Sequence, residues 1–99
     1  MSSQVITDAE TALGHLERLT DELRARGWRV EMAVPADRWP SALVANPELT
    51  GLNENVIAAP ERSGSDGEVW SYFYGWGERI APCDEPSRAA TLLARVLAN

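Results

Sequence analysis

Ala9, Ala12, Leu13, Leu16, Leu19 and Leu23 recur every three or four positions, the spacing of one apolar helical face. The stripe predicts a helix over 8–26. Thr7 stands three residues before Glu10, the spacing of a capping box, and Asp8 complements the dipole at the helix start. Arg18 and Glu22, then Glu22 and Arg26, are four apart and able to pair on the outer face. Gly27 suits the left-handed residue that closes a helix. The period then changes from near four to two. Trp28, Val30, Met32 and Val34 alternate with Arg29, Glu31 and Ala33, which predicts a strand ended by Pro35.

Two shorter strands follow. One covers 42–45, between Pro40 and the turn signal Asn46-Pro47, and the other covers 55–59, ended by Pro60. Both are apolar on both faces, as central strands are. The polar, glycine-rich tract 61–67 reads as a loop. A fourth strand spans 68–74; Gly75-Trp76-Gly77 bends it, and 78–81 continues it. Asp84 caps a second helix with Pro86 in its first turn. Pro86, Ala89, Ala90, Leu93, Val96 and Leu97 form its apolar face, opposite Arg88, Thr91 and Arg95. The order α-β-β-β-β-α, with short connections, predicts an antiparallel sheet with both helices on one face. The expected fold is a single α+β domain over residues 1–99, a two-layer sandwich.

The fourth strand carries most of the aromatic mass. Trp70, Tyr72, Tyr74 and Trp76 share one face, and Val69, Ser71 and Phe73 share the other. Two readings stand open for the first face. It is core beneath the helices, with hydroxyls and indole N–H groups reaching the rim, or it lines the open sheet face and binds a partner or flat ligand. Whichever face the helices cover, residues such as Leu43, Ile57 or Phe73 remain outside, and a contiguous apolar patch of that kind marks a contact surface.

Composition narrows the function classes. The formal charge of −6 argues against direct nucleic-acid binding, which depends on a basic footprint. Arg24, Arg26 and Arg29 come nearest to one, and Glu22 and Glu31 dilute them. No apolar run reaches the ~18 residues of a membrane helix, and the first residues lack the basic and apolar regions of a signal peptide. One cysteine, Cys83, cannot form an internal disulfide, which fits a reducing compartment. A cytoplasmic location is the expectation. All nine basic residues are arginine and alanine is abundant, a bias that GC-rich coding produces.

Candidate chemistry is sparse. His15 falls about 100° from the centre of the leucine stripe, at the edge of the buried face rather than in an evident pocket. With one histidine and one cysteine, distant in sequence, no zinc pattern exists. Cys83-Asp84-Glu85 reads as a small residue before a helix cap, with acids complementing the dipole. Gly64 to Gly67 lies between two strands, so it is not a phosphate loop. No catalytic, metal-binding or cofactor-binding residue is nominated, and the chain is expected not to be an enzyme.

Val44-Ala-Asn-Pro47, Glu54-Asn-Val-Ile57 and the stretch Trp70 to Trp76 running into Gly77-Glu-Arg-Ile-Ala-Pro82 and an alanine-rich helix resemble small uncharacterised proteins of actinobacteria. The likeness covers nearly the whole chain, and its most specific part is Trp76-Gly77 followed by Ile80-x-Pro82. It implies no activity and no ligand. The helix-then-strands layout and acidic charge also resemble small secretion chaperones, a topological likeness that does not establish function. The leading expectation is an interaction protein, either a homodimer through the open sheet face or an accessory subunit for another protein. Trp70, Tyr72, Tyr74 and Trp76 are its candidate contacts. The alternative is a small-molecule binding domain with an aromatic-lined pocket between sheet and helices.

Overall fold

A computed structural model describes residues 2–35, 39–48, 51–61 and 69–97. Helix α1 (Ser2–Ala25) is followed by strands β1 (Arg29–Ala33), β2 (Ser41–Ala45), β3 (Asn53–Glu61), β4 (Val69–Tyr74) and β5 (Arg79–Pro82), then helix α2 (Pro86–Leu97). The strands form one sheet in sequence order, each antiparallel to the next. Both helices cover one face, so the α+β two-layer class expected from the periodicity is the observed one, with five strands rather than four.

The extra strand comes from the Gly75-Trp76-Gly77 break, which reverses the chain instead of bending it. Tyr74 N–H donates to the Glu78 carbonyl at 2.8 Å, and Gly77 N–H donates to the Tyr74 carbonyl at 2.9 Å. Gly77 has φ +109°, where a side chain would be strained. Gly75 N–H donates to the Asn55 carbonyl, and a Cβ on Gly75 would lie 3.1 Å from that of Asn55. Across β4 and β5 the register slips at Tyr72/Phe73, leaving Ile80 as the bulged residue between Arg79 and Ala81.

Helix α1 begins at Ser2, so Thr7 is interior and the Thr7–Glu10 spacing does not mark a start. Residues 2–6 contain no proline or glycine, and a nucleated helix gains a hydrogen bond with each residue added. Its other end matches the sequence reading. Trp28 N–H bonds the Leu23 carbonyl, Gly27 N–H bonds the Arg24 carbonyl, and Gly27 has φ +92°, a Schellman closure. In α2, Pro86 occupies the first helical position, but the cap is Glu85 rather than Asp84. The first intrahelical bond runs from Ala89 N–H to the Glu85 carbonyl at 3.2 Å.

Pro60 does not end β3, which continues to Glu61. Pairing of β2 with β3 extends only from Ala45↔Asn53 to Ala42↔Val56, so beyond Val56 that side of β3 is an edge. A proline there removes no ladder bond. Trp39 Nε1–H instead takes the Ala58 carbonyl at 2.8 Å. The polar tract 61–67 lies outside the described residues, save for the backbone of Glu61.

The core sits between the layers. Leu16, Leu19 and Leu23 of α1 and Ala89, Ala90, Leu93 and Leu97 of α2 bury against Val30, Val44, Val56, Tyr72 and Tyr74. Small residues make room for the two tyrosines. Tyr72 is flanked across the ladder by Ala58 and Ala81, both fully buried.

Candidate functional site

The register places each aromatic of β4. Tyr72 is fully buried, and its hydroxyl donates to the His15 carbonyl of α1 at 2.6 Å. Burial is the main cause that pushes the Tyr72 phenol well above its usual range, with Cys83 adding to the rise and Arg18 opposing it. Tyr74 is also buried. Trp70 is half-buried, with Trp39 stacked at 6.3 Å and 9° and the His15 ring at 5.4 Å. The Trp70/Tyr72/Tyr74 face is therefore core beneath the helices, and these three are not available on the open sheet. Only Trp76 projects, at 60% exposure, from the β4–β5 turn. Trp39 gave no periodic signal; its stack with Trp70 forms only once β2, β3 and β4 are adjacent.

The opposite sheet face carries no helix. Leu43, Ile57 and Phe73 all lie on it and are half-buried. Ile57 pairs directly with Phe73, and Leu43 pairs with Asn55 one step along. Ala45, Ala59 and Pro82 extend the apolar surface, and Ser71 is fully buried between Ala59 and Pro82. Among the described side chains of this face, the charged ones are Arg29 and Glu31 on β1 and Arg79 on β5.

A second feature lies at the other end of β4. A cleft of about 460 Å³ is lined by His15, Val69, Trp70, Pro82, Cys83, Asp84 and Glu85. Cys83 is buried, and its N–H donates to the Trp70 carbonyl at 2.9 Å. The fold thus brings the single histidine and the single cysteine to one cleft, a meeting that their distance in sequence did not signal. Glu85 pairs with Arg88 at 3.6 Å across an exposed helix turn. Among the described residues, no group of three or more His, Cys, Asp or Glu is placed to hold a metal ion.

His15 titrates below the usual imidazole range, first because burial disfavours the cation and then because Arg18 lies beside its Nδ1. The unfolded chain therefore binds this proton more readily than the folded one. Stability is full above the unfolded pKa, falls as pH drops below about 6.5, and levels off below the folded pKa. His15→Gln should flatten the part of the melting-temperature profile between pH 7 and 5.5 that belongs to this group. Identical profiles for the two proteins in thermal unfolding would show that His15 contributes nothing.

No helix of the described residues is long and apolar enough to cross a membrane. No family model matches this chain, and neither a curated protein nor a solved structure matches it.

Proposed function

We propose that the protein is a non-catalytic interaction module that pairs with a second copy of itself through the open face of its sheet. The carrying observation is the contiguous patch of Leu43, Ile57 and Phe73 on the face that neither helix covers. A two-fold axis running along β3 between stacked sheets would lay β1 of one copy over β5 of the other. Leu43 then meets Phe73 of the second copy, Ile57 meets its own equivalent near the axis, and the Glu31 rim lies over the opposite Arg79 rim. Apolar contact at the centre and Glu31 set against Arg79 at each margin support pairing in this sense, with Arg29 one step farther along β1. The single buried cysteine fits a reducing compartment, so the module is read as cytoplasmic.

Light scattering on a sizing column tests the pairing. The expected mass is twice the 10.9 kDa of the chain across the micromolar range. A mass of one chain at the highest concentration would overturn it. The volume of the His15/Trp70/Cys83 cleft favours a second reading, a small-ligand site between sheet and helices, because it falls within the range of such sites. A thermal-shift screen of nucleotides, flavins and common metabolites separates the two. A pocket protein gains several degrees from some ligand, and a pairing module gains from none.

A further inference from the structure

The β4–β5 turn presents an aromatic ring that is exposed and yet held. Trp76 stacks on Tyr74 with ring centroids 4.5 Å apart and planes 6° from parallel. Its indole Nε1–H donates to Glu78 Oε1 at 3.3 Å. Gly77, at positive φ, and Gly75, packed closely on Asn55, fix the backbone on either side. One face of the indole is committed to Tyr74 and the other faces solvent. A ring restrained in this way loses little side-chain entropy when something lands on its free face.

Two carboxylates act on the phenol beneath the indole. Glu78 and Glu54 both act on the Tyr74 phenol, which burial first and these two carboxylates next push above its ordinary range. Among the described residues neither glutamate has an ion-pair partner. A π-face with a carboxylate at its edge attracts a cation, and a guanidinium fits best because it is planar, weakly hydrated and able to stack. The net charge of −6 adds long-range attraction for a basic segment.

We propose that the free face of Trp76, with Glu78 bonded at its edge, docks an arginine side chain from a basic segment of a partner protein. This site is separate from the sheet-face pairing and does not depend on it. The probe is acetyl-(Arg-Gly)4-amide, with its citrulline counterpart as a neutral isostere, titrated into 15N-labelled protein. The four tryptophan indole N–H signals are followed, and that of Trp76 is identified by its loss in Trp76→Leu. The expected result is a saturable shift of the Trp76 signal with the arginine peptide and none with citrulline. Trp76→Leu, followed through the backbone amide shifts of the turn, should weaken binding about two- to fivefold, the size of a cation–π contact at an exposed ring. Glu78→Gln and Glu54→Gln, which leave the ring in place, should each weaken it several-fold. A static Trp76 signal at millimolar peptide would overturn the proposal. So would equal shifts with citrulline, or unchanged affinity in Trp76→Leu and both glutamine variants.

Discussion

Tyr72→Ala should melt roughly 15–30 °C below the wild-type protein. The ring is fully buried, and its hydroxyl ties β4 to the first helix through the His15 carbonyl at 2.6 Å. Removing a buried aromatic costs about 3–5 kcal/mol, from lost transfer free energy and from the cavity left behind. In a domain of this size, each kcal/mol shifts the melting temperature by about 4–8 °C. The site is poorly able to collapse, because Ala58 and Ala81 flank it and neither can grow into the space. Tyr72→Phe keeps the ring and removes only the hydroxyl, so about 1 kcal/mol is expected, a loss of several degrees. Thermal unfolding followed by circular dichroism at neutral pH separates the two contributions. A Phe variant as damaged as the Ala variant would mean that the hydrogen bond, not the packing, holds helix and sheet together.

Local chemistry was legible where a few neighbouring residues settle the outcome. Gly27 after an arginine-rich helix end, Pro86 in a first turn and the alternation from Trp28 onward all found their expected places. The reading failed where a distant neighbour decides. Pro60 ends a strand by local rules, yet it is tolerated because β2 stops pairing before reaching it. Gly75-Trp76-Gly77 suits a bend as well as a reversal, and the Asn55 carbonyl across the ladder is what receives the turn. The two faces of β4 have comparable apolar content. Which one is covered follows from the register that sets Tyr72 among alanines and Phe73 beside Ile57. The candidate contacts accordingly divided: three aromatics went into the core, Trp76 stayed outside, and the open sheet face carries the half-buried Leu43, Ile57 and Phe73.

Under the proposed sheet-face pairing, Phe73→Glu should give a monomer while leaving the fold nearly intact. Phe73 lies on the open face between Ile57 of the central strand and Arg79 of the edge strand, each its direct cross-strand neighbour. In the single chain the new carboxylate would be solvated and have an arginine as its cross-strand neighbour, an arrangement a sheet accepts at small cost. In the pair it would be sealed against Leu43 of the other copy; losing its water costs several kcal/mol, of which Arg79 returns part, leaving about 3 kcal/mol. Two-fold symmetry doubles the penalty, because each copy brings one such carboxylate. A total of roughly 6 kcal/mol corresponds to about a 10⁴-fold weaker association. Light scattering should therefore give the single-chain mass for Phe73→Glu. Its melting temperature should also lose the concentration dependence expected of the wild-type pair. Val96, which its spacing assigns to the apolar face of the second helix, is exposed at the edge of that face, and Val96→Glu should leave the wild-type mass unchanged. If Phe73→Glu kept that mass too, the copies would have to meet elsewhere, and the Leu43–Ile57–Phe73 patch would no longer support pairing.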